Sequence, residues 1–331
     1  MKSANITIIL LLVMLLHGGC SSPGIYSALS ASSHIIAKDS EFVVLRVGKE
    51  NARTLAKNYL DDEELYWIIE DANPSGAIKP GNEIIIPLKT DNPTGIDYNG
   101  YQTIPILCYH RFGNRGDRLE VSPKQFRQQL EFLKKNDFRV IPLASLLGFL
   151  KGEQALPKRS VIITIDDGHR SIYKEAFPLL QEFGYPATVF AYSDYMNNGG
   201  LRTNEITAMV KSGLISIQPH SKTHGNLAVR QGGEDRKQYQ RRVRREVVVP
   251  TKKLTQYLGQ KPRFYAYPFG DSNEHVIDEL QANGLLLGLT VQPRANAAFA
   301  YPYLLHRTMI FGDRDMKTFK ASLVTYKSRE K

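Results

Sequence analysis

Between residues 104 and 310, short apolar runs alternate with amphipathic helical patterns, and no other feature of the chain constrains its fold as strongly. Strands are expected at 104–107, 161–165, 188–191, 215–217, 264–267, 286–291 and 304–310. The stretch 126–133, with Phe126, Leu130 and Leu133 on one face, typifies the helices between them. Strands separated by helices can return parallel to one another, so the pattern predicts an α/β architecture, either an open sheet or a barrel. Polar and titratable residues follow the strands. Tyr109-His110 comes after the first, Asp166-Asp167-Gly168 after the second, His220 and His224 after the fourth, and Pro268-Phe269-Gly270 after the fifth. In β/α barrels the chemistry sits at the carboxyl ends of the strands, so these segments point to one rim.

The chain has 331 residues, of which 42% are hydrophobic and 23% charged, an ordinary globular balance for two domains. A net charge of +10 favours an acidic partner without choosing one. The N-terminus narrows the compartment. Lys2 is followed by an apolar stretch, 6–16, that is too short to span a hydrocarbon core of ~30 Å and reads as an export signal. His17-Gly18-Gly19-Cys20 resembles a bacterial lipobox, although an aliphatic residue usually stands where His17 does. That resemblance implies a lipidated Cys20 and an extracytoplasmic, membrane-anchored lipoprotein. Ser21 and Ser22, in place of an Asp retention signal, imply the outer membrane if the cell is Gram-negative. Export argues against nucleic acid as a partner. With Cys20 consumed, Cys108 is left alone, and its apolar strand suggests a small buried hydrophobe.

The expected organisation is a signal peptide (1–19), a Ser/Ala-rich tether (20–40), a small α+β domain (41–88), a Pro/Gly linker (89–103) and the α/β domain (104–331). The small domain reads strand, helix, helix, strand. Its segments "TLAKNYLDDEELYWIIEDAN" and "ANPSGAIKPGNEIIIP" resemble a LysM module. That resemblance implies binding to N-acetylglucosamine-containing polymers; the alternative is a spacer that holds the second domain away from the membrane.

At the rim, "VIITIDDGHRS" runs a buried strand into two carboxylates. Adjacent strand residues point to opposite faces, so both can serve one site only where the strand breaks, as Gly168 permits. Two carboxylates so close repel unless a cation neutralises one. "HSKTH" adds imidazoles at i and i+4. One Asp with two His leaves coordination positions open, the arrangement of a catalytic metal. One divalent ion is expected; zinc is the first choice, and cobalt, nickel, iron or manganese suits the same ligands.

"TIDDG", "HSKTH" and "YAYPFG" match in order the motifs of the polysaccharide deacetylases of carbohydrate esterase family 4, the NodB-homology family. The resemblance covers roughly 104–312 and implies a distorted (β/α) barrel that removes N-acetyl groups from a hexosamine polymer of the cell envelope, peptidoglycan or poly-N-acetylglucosamine. Upstream, "ILCYHRFG" resembles the circularly permuted branch acting on poly-N-acetylglucosamine, whose acid histidine precedes the Asp pair. Carried onto this chain, the resemblance makes Asp167, His220 and His224 metal ligands, Asp166 the general base and His110 the general acid. Tyr267, Pro268 and Phe269 become the oxyanion or substrate segment.

The pattern is not matched everywhere. Ala266 stands where the third motif usually has an arginine, so whatever orients Asp166 must come from elsewhere, and Arg307 is the candidate. His306 competes with His110 for the acid role, and the Tyr-His context favours His110. Residues 236–245 hold six Arg or Lys, read as the solvated face of a helix that Pro250 interrupts. Two other functions fit parts of the sequence: a non-catalytic glycan-binding lipoprotein, against which the complete ligand set speaks, and a two-His-one-carboxylate iron oxygenase, against which the βα alternation speaks.

Overall fold

The computed structural model describes residues 32–89 and 92–329; the expected leader, Cys20 and the start of the tether lie outside them. The chain divides into two units, one ending at Lys89 and the other starting at Thr90.

In the first unit, Phe42–Arg46 is the central strand of a three-stranded antiparallel sheet, flanked by His34–Lys38 and Glu83–Pro87. Its helix Ala52–Leu60 starts at Asn51, whose side chain accepts the Thr54 N–H at 2.9 Å. A 3₁₀ turn, Glu63–Leu65, leads into the helix Tyr66–Ala72. Val43, Leu45, Leu55, Ile69, Ile84 and Ile86 close a small core. Asn73 ties helix to sheet, because its amide donates to the Ile69 and Ile85 carbonyls and accepts the Ile85 N–H. The strand His34–Lys38 corrects the expected tether. All five of its residues are exposed, so backbone pairing rather than apolar burial holds it, and no hydrophobic period announces it.

In the second unit, parallel strands run Ile215–Pro219, Ala187–Ala191, Ser160–Ile165, Ile106–Tyr109, Thr308–Met309 in spatial order. A separate parallel pair, Phe264–Ala266 with Leu287–Leu289, completes the ring through a bridge between Leu289 and Leu305. Between Ile215–Pro219 and Phe264–Ala266 no backbone ladder forms among the described residues. The Gln218 side chain fills in, its carbonyl oxygen accepting the N–H groups of Arg263 and Phe264 at 2.9 and 3.0 Å. The result is the distorted barrel that the family resemblance implies, where the βα alternation alone left an open sheet or a barrel.

The two-residue period sorts the strands into faces. Leu107, Ile163, Ile165 and Val189 pack outward in one core with Phe126, Leu130 and Leu180 of the helices. Ile106, Ile162, Phe190, Ala266 and Leu289 belong to a second core in the interior of the barrel. Thr164 and Asp166 continue the inward row of Ile162, which aims Asp166 into the barrel.

Two further expectations are corrected. The linker 89–103 contains paired strands, Ile96–Asp97 and Gly100–Gln102, joined by Tyr326–Ser328. Their turn is held by Asp97, whose carboxylate accepts the N–H groups of Asn99 and Gly100. These pieces are two or three residues long, below the length at which a period can be read. Pro250 does not interrupt its helix, which runs unbroken over Arg236–Leu258. A proline there deprives the Glu246 carbonyl of its N–H partner, and interior prolines cost about 3 kcal/mol. Here the Tyr265 hydroxyl donates to that carbonyl instead, at 3.4 Å.

Candidate metal and catalytic site

The strand Ser160–Ile165 ends one residue before the Asp pair, and Asp167 turns into the left-handed region at φ 70°. The break gives the two carboxylates different surroundings. Asp166 continues the inward row and is buried; Asp167 is half-buried at the rim.

Arg307, wholly buried, reaches across the barrel and takes both oxygens of Asp166, Nη1 to Oδ1 at 2.6 Å and Nη2 to Oδ2 at 2.7 Å. Two further donors are used: Nε donates to the Thr290 carbonyl at 2.9 Å, and Nη1 also reaches Thr164 Oγ1 at 3.2 Å. The Cys108 thiol lies 3.5 Å from Asp166 Oδ2. Burial alone would push the Asp166 carboxyl up; the Arg307 charge and its two hydrogen bonds outweigh it and hold the group below the usual carboxylate range. Burial pushes the Cys108 thiol well up, keeping it neutral.

Asp167, His220 and His224 converge, each with a ligand atom within 4.8 Å of the others. Asp167 Oδ1 is buried and accepts no well-formed hydrogen bond, although His224 Nε2 lies 3.2 Å away and His220 Nε2 3.6 Å away. Acceptor atoms that face one another in this way fit a shared cation. His220 Nδ1 lies 2.8 Å from the Ala266 carbonyl, and that bond fixes the tautomer that leaves Nε2 as a lone pair. Burial lowers the His220 pKa despite the two carboxylates, a shift toward the neutral form that a ligand requires. The residues present therefore fit a divalent ion.

His110 is buried beside this cluster, its Nδ1 without a partner, and its ring nitrogen, Cys108 Sγ and an Asp166 oxygen lie within 4.8 Å of one another. His306 belongs to neither group; its backbone is held by Asn296 on both sides. Burial and the Arg294 charge lower the His306 pKa.

Phe269 sits at φ 63°, its ring 58% exposed and edge-on to His224 at 4.9 Å between centroids. Pro268 is buried beneath it. Tyr267 is committed to the wall, because its hydroxyl donates to the Tyr303 carbonyl at 2.8 Å and its N–H to Leu289. His169, next to the Asp pair, bonds Ser171 Oγ through Nδ1.

Of the eight described non-glycine residues with positive φ, Asp167, Ser221, His224 and Phe269 lie in these motifs. Such conformations persist only where the surroundings over-determine them, and they cluster at working sites. Sequence reasoning missed Cys108, Thr164 and Gln218 as neighbours of the site. Their inward strand positions were the available signal, one that needs the register to be known.

The match to the polysaccharide deacetylase family spans residues 153–288. That span holds Asp166, Asp167, His220, His224 and Tyr267–Phe269 and leaves His110 and Arg307 outside it. A poly-beta-1,6-N-acetyl-D-glucosamine N-deacetylase of Staphylococcus aureus is 27% identical over 199 residues, 58% of this chain and 68% of that protein. Among solved structures, IcaB from Ammonifex degensii is similar with a TM-score of 0.58 and 25% identity, covering 64% of this chain and 93% of that one. The Streptococcus pyogenes deacetylase PplD, in complex with acetate, shares the fold at a TM-score of 0.60 and 21% identity over 67% of this chain and 98% of that one. On fold, motifs and relatives together, this chain belongs to the polysaccharide deacetylases of the NodB, carbohydrate esterase 4 type.

Proposed function

We propose that this chain hydrolyses the N-acetyl groups of N-acetylglucosamine residues in a cell-envelope polysaccharide, with poly-N-acetylglucosamine as the favoured polymer. One observation carries the reading. Two adjacent carboxylates are separated in role, Asp166 locked by Arg307 and Asp167 left with an unpaired oxygen facing two imidazoles. The S. aureus relative, named for poly-beta-1,6-N-acetyl-D-glucosamine, supports the choice of polymer.

Asp167, His220 and His224 would hold one divalent ion, zinc as first choice. Such an ion polarises a carbonyl and makes water acidic enough to attack at neutral pH. Asp166, kept ionised and oriented by Arg307, is the base that accepts a proton from the attacking water. His110 stands close enough to the same carboxylate to deliver a proton to the departing amine. The segment at Phe269, turned by its positive φ and carrying the ring that packs edge-on to His224, would face the developing oxyanion.

Residues 41–88 of the first unit are proposed as a LysM-like glycan-binding domain, supported by their strand–helix–helix–strand order, to which His34–Lys38 adds a strand. Extracytoplasmic placement is supported by the short apolar leader and by the relative named for poly-beta-1,6-N-acetyl-D-glucosamine. Anchoring through Cys20 belongs to the same proposal. No helix among the described residues is long and apolar enough to cross a membrane.

Acetate release by residues 21–331 tests the activity. Poly-N-acetylglucosamine oligomers and intact peptidoglycan are offered in parallel, with zinc or cobalt and with chelator. Chelator-sensitive release from the oligomers is expected. Release from peptidoglycan alone would overturn the choice of polymer, and release from neither would overturn the activity.

A further inference from the structure

The helix Arg236–Leu258 turns two charged side chains inward, Arg242 and Glu246, one helical turn apart and both buried. Each is spent on the loop that carries His224. Arg242 takes carbonyls: those of Asn226 at 3.1 Å and Val229 at 2.8 Å, with the Glu234 carboxylate on Nε at 2.6 Å. Glu246 takes donors: the N–H groups of Lys222 and Thr223 at 2.9 and 2.8 Å, and the Thr223 hydroxyl at 3.0 Å. Those two residues lie between Ser221 (φ 72°) and His224 (φ 65°), and the His224 N–H is in turn held by Ser221 Oγ at 2.8 Å.

Without a buried acceptor, the N–H groups of Lys222 and Thr223 would have to find partners elsewhere, and the chain would relax out of its left-handed turns. His224 would then swing away from Asp167. We infer that Glu246 is a positioning residue for the metal site: its carboxylate clamps the segment 221–224 so that His224 Nε2 is aimed at Asp167 before any ion arrives. The inference rests on the proposed metal reading. The Pro250 contact belongs to the same arrangement, since the Glu246 carbonyl left free by the proline is held by Tyr265, from the strand that also supplies Ala266 to His220.

The test is zinc affinity of the full chain, measured by competition with a chromophoric chelator, for Glu246→Gln, His224→Ala and Thr251→Val. Both backbone N–H groups share the one oxygen Oε2, so Gln keeps the shape and an acceptor for them but removes the charge that makes those bonds strong. Its zinc affinity should fall about 10–100-fold, the usual effect of losing an outer partner of a metal ligand. Trypsin should cut after Lys222 faster in this variant, and its activity should return when zinc is in excess. Thr251, whose hydroxyl bonds the Val247 carbonyl, lies on the same inward face and makes no bond to the loop. Its variant should lose stability and keep zinc affinity, separating positioning from a general effect on the helix. Wild-type affinity in Glu246→Gln, with His224→Ala deficient, would overturn the positioning role. Wild-type affinity in His224→Ala would overturn the metal reading itself, and this inference with it.

Discussion

Arg307 holds Asp166 through a two-pronged ion pair, 2.6 and 2.7 Å long, with neither side chain exposed to more than a trace of solvent. The third motif has Ala266 where an arginine is usual, and the compensating cation comes from just before Thr308–Met309, the strand two places along the sheet from that of Asp166. Replacing Arg307 with Met would leave Asp166 buried and unpaired. Breaking a buried pair in this way costs about 3–5 kcal/mol, so the thermal midpoint should fall sharply. Arg307→Lys restores charge without the fork and should recover stability better than activity, as unfolding scans and kcat/KM on one preparation would reveal.

The division of labour between the carboxylates predicts opposite outcomes for matched variants. Asp166→Asn should keep zinc and lose turnover by about 10²–10⁴-fold, the range for removing a general base. Asp167→Asn should lose zinc. Metal analysis of the dialysed proteins, alongside acetate release, reads both, and loss of zinc from Asp166→Asn would contradict the assignment.

The two histidines that compete for the acid role are separated by position. His110→Ala should lower kcat by about 10²–10⁴-fold. His306→Ala, outside both clusters, should leave kcat within a few-fold of the wild type, as acetate release by the two variants would read. The reverse pattern would transfer the acid role to His306.

Away from the site, Glu205 offers a pH-dependent contribution to stability. Its buried carboxylate accepts Arg170 Nε at 2.8 Å and the Arg202 N–H at 2.9 Å, and these bonds outweigh burial to lower its pKa. A carboxyl lowered in the fold stabilises above its unfolded value, ~4.3, and loses that stabilisation as pH falls through the folded value. Glu205→Gln should therefore cost about 1.5–3 kcal/mol near neutrality, the range for bonds to a charged group, and progressively less in acid. Denaturant unfolding of both proteins at pH 7 and pH 3 would expose a difference that fails to shrink.

How far the sequence could be read depended on whether a residue announces itself locally. Asp166, Asp167, His220 and His224 stand at the ends of apolar runs, where a buried strand gives way to polar chemistry, and so were visible without the fold. Arg307 was visible only as a candidate, because its partner lies 141 positions earlier and the strand after it is two residues long. Glu246 was invisible, lying in a basic run that reads as a solvated face. Its burial depends on which way the helix turns, and Pro250 argued against one continuous helix. The strand His34–Lys38 was missed because nothing in it is buried.

The open seam of the barrel bears on how its parts depend on one another. Where the backbone ladder is absent, Gln218 and His220 reach across from one side, and Arg263, Phe264 and Ala266 receive them on the other. His220 is therefore mortar as well as proposed ligand: one ring nitrogen joins two walls of the barrel while the other faces Asp167. The wall and the reaction centre share a joint, so whatever steadies that imidazole steadies the seam. A variant that loosens the seam will have slackened the chemistry before it unfolds anything.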